Sequence, residues 1–121
     1  MKVIIAGGRD YKFTDEDREF LNSIGGRISE VVSGACQAKK DSDTATGADG
    51  FGEEWAKENK VPVTRFYPDW KTYGRGAGPK RNISMAEYAE AVVLFPGGRG
   101  TDSMHREASK RQLEIYDRRK Q

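Results

Sequence analysis

The chain has 121 residues, 33% of them charged and 36% hydrophobic, which fits one domain with one modest core and a strongly solvated surface. A net charge of +2 is too small to argue for a broad nucleic-acid footprint. A single cysteine, Cys36, excludes an intrachain disulfide, and Cys36 with the single His105 supplies no zinc site of the usual kind. No apolar run approaches the roughly 20 residues of a membrane span, so no membrane partner is expected and the expected compartment is the cytoplasm.

The first run, KVIIA (2–6), is a buried-strand pattern ended by Gly7-Gly8. Residues 14–24, TDEDREFLNSI, predict a helix: Thr14 is placed to cap it, acids fill the first turn, and Phe20, Leu21 and Ile24 share a face. RISEVVS (27–33) predicts a second strand, ended by Gly34. Residues 37–46 are polar, small and charged without apolar periodicity, and predict an exposed loop. A helix is predicted over 47–60, with Asp49 as its cap and Phe51 and Trp55 one turn apart on a core face.

VPVTRFY (61–67), β-branched and aromatic, predicts the third strand. Residues 68–80 read as a loop rich in glycine, proline and aromatics, after which Pro79 suits the first turn of a helix. AVVLF (91–95) is the fourth strand, followed by a glycine junction, a helix over 101–111 and a fifth strand at 113–117. Strands and helices alternate throughout, with no repeat and no linker. The fold class expected is a single α/β domain over 1–121, a Rossmann-like doubly wound sheet of about five parallel strands flanked by helices.

Ligands of such sheets bind beyond the carboxyl ends of the strands, and the unusual residues fall there. GGRD (7–10) follows the first strand and Ser33-Gly34 ends the second. A basic loop, 69–82, follows the third, with four bases against one acid, and PGGRGT (96–101) follows the fourth. Glycine lets backbone N–H groups approach a phosphate without an intervening Cβ, and a helix N-terminus adds unpaired donors and partial positive charge. The candidate phosphate site is Gly7, Gly8, Arg9, Asp10, Ser33, Gly34, Asp49, Arg81, Asn82, Pro96, Gly97, Gly98, Arg99, Gly100 and Thr101. Arg9, Arg81 and Arg99 are suited to bidentate contacts. Thr101 either caps the last helix or donates to a phosphate oxygen. Asp10 and Asp49 either bind ribose hydroxyls or serve local turns.

Trp70 and Tyr73 either stack on a nucleobase or cover a sheet edge or subunit interface. Trp55, Met85 and Met104 read as packing residues. PGGRGT matches neither GxGxxG nor GxxxxGK[ST].

In that order, IIAGGRD, VVSG…TGAD, GPKRNISM and LFPGGRGTDSM resemble the YspA-like branch of the SLOG superfamily, over about residues 2–117. That superfamily includes the Lonely Guy cytokinin-activating hydrolases and the DNA-processing protein DprA. The resemblance implies a Rossmann-like fold, a site for a nucleotide or nucleotide-derived small molecule such as an ADP-ribose or cyclic-nucleotide species, and a homo-oligomer. It implies no cofactor.

Two departures from the family pattern carry information. The Lonely Guy motif PGGxGTxxE puts its glutamate where this chain has Met104, and a thioether does no acid–base work. Their Arg-Lys pair is matched at Arg81 but replaced by Asn82. Asp102, His105 and Glu107 are the nearby candidates for a substitute catalytic group. The second departure is an insertion over 35–46, where relatives run from SG to GAD with only a few residues between; it reads as an added surface loop. The expected function is therefore ligand binding, as sensor, carrier or sequestering protein. A nucleoside-monophosphate phosphoribohydrolase is the alternative, and single-strand nucleic-acid binding by analogy with DprA is the third reading.

Overall fold

A computed structural model describes residues 1–119. Its five parallel strands are β1 (Lys2–Ala6), β2 (Glu30–Ser33), β3 (Val63–Arg65), β4 (Ala91–Leu94) and β5 (Glu114–Asp117), in the spatial order β3-β2-β1-β4-β5. The helices are α1 (Asp15–Ile24), α2 (Gly47–Glu58), the short α3 (Trp70–Tyr73), α4 (Ala77–Tyr88) and α5 (Arg99–Lys110). The expected Rossmann-like architecture is what the chain adopts. Strand order reverses at β1, so the crevice between the ends of β1 and β4 is the topological switch point.

The two faces of the sheet are covered separately. Val3, Ile5, Val31, Val93 and Phe95 point to one side, where Leu21 of α1 and Phe51, Trp55 and Ala56 of α2 pack on them. Ile4, Val32, Val92 and Leu94 point to the other, against Met85 and Ala86 of α4 and Met104 and Ala108 of α5. Alternate residues along one strand thus serve two layers, which is why these strands read as unbroken apolar runs. Trp55, Met85 and Met104 are all buried, as expected of packing residues. No helix among the described residues is long and apolar enough to cross a membrane.

Several boundaries move from their sequence positions for local reasons. Thr14 caps α1 as expected, and Asp17 answers it in a capping box. The second strand starts at Glu30, three residues later than predicted, because Gly25–Arg27 form a 3₁₀ turn at the end of α1. The third strand shrinks to three residues. Pro62 lacks the N–H needed to extend it at one end, although Phe66 still donates to Ser33 O at 2.8 Å beyond the other. The last helix begins at Arg99, two residues before the predicted Thr101, with Gly98 as its N-cap.

Residues 35–46 are not loose along their whole length. Lys39, Lys40 and Asp41 are exposed, but Ala35, Ala38 and Ala45 are buried together beneath the segment. Arg65 at the end of β3 holds it down, donating to Lys40 O at 3.1 Å and to Asp43 O at 2.7 Å. The same guanidinium makes a two-point contact with Glu53 of α2 at 2.9 and 2.7 Å, and Glu53 also accepts from Ser33 Oγ at 2.6 Å. Tyr67 completes the clamp, donating to Asp41 Oδ1 at 2.7 Å.

Candidate functional site

The switch point is stitched by backbone. Phe95 N–H donates to Ala6 O at 2.8 Å, and one step further Gly8 N–H donates to Pro96 O at 2.8 Å. This brings the loop after β1 against the glycine junction after β4. A Cβ at Gly97 would overlap Thr101 Oγ1 and stand 2.6 Å from Gly8 N, so glycine is what lets the two loops touch. Gly47 (φ +59°) does the same from the other side: its backbone passes so close beneath Arg9 that a Cβ would lie 2.5 Å from Arg9 Cα. The loop after β1 is anchored by Tyr11 and Phe13, which pack with Phe51 and Phe95; Phe13 stacks on Phe51 with centroids 4.0 Å apart.

These loops form one end of a cavity of about 1000 Å³. Gly7, Gly8, Arg9 and Asp10 line it after β1, Gly34 after β2, Asp49 from α2, Arg81 and Asn82 from α4, and Pro96, Gly97, Gly98, Gly100 and Thr101 after β4. The sequence therefore placed most of its candidate phosphate residues in one concavity. Two do not line it. Ser33 is buried but bound to Glu53, and Arg99 is exposed at the first position of α5.

Local roles differ from expectation at several positions. Asp49 does not cap α2. The helix starts at Gly47 with Thr46 as N-cap, and the Asp49 carboxylate turns to accept from Cys36 N–H at 3.0 Å. Thr101 does not cap α5 either; it lies inside the first turn, buried against Gly97, and no side chain caps this helix. The backbone donors at the start of α5 are therefore left for solvent or a ligand. Asn82, where the hydrolase pattern has lysine, is buried and structural. Its Nδ2 donates to Gly100 O at 3.3 Å and to Ser103 Oγ at 3.2 Å, which fixes α4 to the first turn of α5.

Arg81 is the interior cation of the cavity. Nε donates to Asn82 Oδ1 at 3.0 Å and Nη1 to Gly34 O at 2.6 Å. Burial lowers its pKa, and the neighbouring Asp49 carboxylate works against that shift. Burial also pushes Asp49 up to about 6, opposed by Arg81 and by the backbone N–H groups of Cys36 and Gly34. The aromatics split. Trp70, 60% exposed, lines the cavity mouth beside Tyr67 and Pro68. Tyr73 does not line it; Lys80 Nζ sits 4.6 Å from its ring in a shallower depression alongside.

The three candidate catalytic groups on α5 lie outside the cavity lining. Asp102 is exposed and paired with Arg119 at 3.0 Å. Glu107 is held by Arg111 at 2.8 Å and its pKa is lowered chiefly by that bond. His105 is half-buried. Met104 instead lines the cavity together with Met85. Among the described residues, no group of three or more His, Cys, Asp or Glu side chains is placed to hold a metal ion.

Sequence reasoning missed the clamp of Glu53, Arg65 and Tyr67 and the contribution of Ala35 and Cys36 to the cavity wall. The available signal was Arg65 itself, a charged side chain inside an otherwise apolar strand run.

Fold and cavity together define a Rossmann-like α/β domain with a concave, glycine-lined site at its switch point. Part of the chain is similar to the Gene 61 protein of Mycobacterium phage D29, 32% identical over 81 residues, covering 60% of this chain and 65% of that protein. The match thus spans less than two thirds of the relative's length. No family model matches the chain, and no solved structure matches it.

Proposed function

We propose that this protein is a SLOG-type domain of the YspA-like branch that binds a nucleotide or nucleotide-derived small molecule, with the phosphate at the glycine junction. The observation that supports this reading is the convergence, in one cavity, of the Gly7-Gly8 and Gly97-Gly98 backbones, the uncapped start of α5 and the Arg81 guanidinium. Paired glycine loops admit a phosphate to backbone donors, and a guanidinium adds a charge-assisted contact. Trp70, exposed in the cavity lining, offers an aromatic face on which a base can stack. The protein acts as sensor, carrier or sequestering partner, in the cytoplasm and as a homo-oligomer.

The hydrolase reading has less support, because Asp102, His105 and Glu107 do not line the cavity and Met104 does. The single-strand reading has less still, given the net charge of +2.

Calorimetric titration with AMP, ADP-ribose and cyclic ADP-ribose tests the proposal. At least one is expected to bind, and Arg81→Met is expected to weaken it by about 10- to 100-fold, the range for a hydrogen bond to a charged group. Trp70→Ala, at a surface position, is expected to weaken binding while leaving the melting temperature unchanged. Absence of heat with all three ligands overturns the reading. Release of free adenine from AMP restores the hydrolase.

A further inference from the structure

We propose that the cavity takes up its doubly charged anion together with a proton, and that the proton goes to Asp49. The inference rests on the phosphate-site reading above and adds how that site is regulated.

Arg81 and Asp49 close over the same residue: a Cβ at Gly34 would lie 2.8 Å from Arg81 Nη1 and 3.1 Å from Asp49 Oδ2. The site's interior cation thus already has a carboxylate beside it, while the cavity's other charged side chains, Arg9, Asp10 and Lys39, are exposed. An arriving dianion and an ionised Asp49 place three negative charges around one half-buried guanidinium. In a partly desolvated site that arrangement is costly, and the carboxyl is the group able to relieve it by taking a proton.

The charged surroundings favour this. From α2 itself, Glu53 lies one turn beyond Asp49 and pushes its pKa further up. From the 35–46 segment come Cys36, whose N–H holds the carboxylate, and Lys39 at the cavity wall. From α4 comes Arg81, and across the cavity, after β1, stand the exposed Arg9 and Asp10. The loop after β4 brings no charged side chain into the lining. Burial, the largest influence, pushes the Asp49 carboxyl up to about 6, within reach of physiological conditions.

The balance is simple. One proton from solvent adds to an Asp49 oxygen, the anion engages Arg81 and the backbone donors, and no covalent bond changes. If only the protonated form accepts the anion, apparent affinity scales with its population, and falls about tenfold from pH 5 to pH 7.

Sulfate and ADP-ribose are suitable probes, since neither changes charge between pH 5 and 8. Titrations of the whole protein in two buffers with different heats of ionisation read proton uptake directly. The expected result is uptake of up to one proton per anion near pH 6.5 and the tenfold loss of affinity, with Asp49→Asn binding equally well at both pH values. His105→Gln is expected to leave the profile of the unaltered chain in place.

Binding of either probe without pH dependence or proton uptake overturns the coupling and leaves the phosphate site standing. A pH dependence that persists in Asp49→Asn and disappears in His105→Gln overturns it too. No binding of either probe at pH 5 removes the phosphate site and the coupling together. Proton uptake by the unaltered chain is decisive on whether coupling exists even where Asp49→Asn fails to fold.

Discussion

Gly97 and Gly98 are chemically identical neighbours, yet the structure predicts opposite results for placing a methyl group on each. At Gly97 the new Cβ meets Thr101 Oγ1, Gly8 N at 2.6 Å and Gly7 C at 3.0 Å. The threonine can rotate away, but the backbone of residues 7 and 8 cannot, because Gly8 N–H is committed to Pro96 O. Overpacking of this kind costs about 1–3 kcal/mol. At this chain length each kcal/mol lowers the melting temperature by roughly 3–5 °C. At Gly98 the Cβ meets nothing within 4 Å, and stability is expected to hold within about 0.5 kcal/mol. Since Gly98 lines the cavity at the N-cap of α5, Gly98→Ala is expected to weaken sulfate binding without loss of stability. Paired urea denaturation of Gly97→Ala and Gly98→Ala, followed by sulfate titration, measures both effects. Equal stability of the two variants refutes the claim that Gly97 is fixed by contact between the two loops.

Two further outcomes follow from the charge network. Arg65→Gln leaves Glu53 in a largely buried position with only Ser33 as partner, and is expected to cost about 2–4 kcal/mol, near the lower end for a broken buried pair since both partners keep some exposure. Hydrogen exchange of amides 35–46 should accelerate more than that of β1 or β4; unchanged protection there would show that Arg65 does not hold the segment. Asp117 is held down to about 2 by its hydrogen bonds to Arg119, against an ordinary value of 3.8. Its folded form is thus the weaker proton binder, so its contribution to stability is complete above pH 3.8 and lost as pH falls through about 2. Asp117→Asn is expected to flatten the stability profile between pH 4 and 2 and leave it unchanged in slope above pH 5, as followed by thermal melts.

Alternation of short apolar runs with capped amphipathic segments determined the fold class, because a strand buried on both faces and a helix buried on one leave different periods in the sequence. The same reading picked out the glycine pairs Gly7-Gly8 and Gly97-Gly98 beyond the ends of β1 and β4, and Gly8 and Gly97 do meet at the switch point. The basic loop containing Arg81 and Trp70 was legible for a similar reason, as charge and aromatics concentrated beyond a strand end.

What tertiary structure alone decided was which way individual side chains turn. Asp49 reads as a cap, yet packing of the 35–46 segment supplies Cys36 N–H and makes it a cavity carboxylate beside Arg81. Ser33 reads as a ligand donor, yet Glu53 claims its hydroxyl; Asp102 and Glu107 read as catalytic spares, yet Arg119 and Arg111 claim them. Local sequence fixes backbone propensity within a few residues. The partner of a polar side chain is chosen by whichever complementary group the fold brings within about 3 Å, and that depends on crossovers tens of residues long.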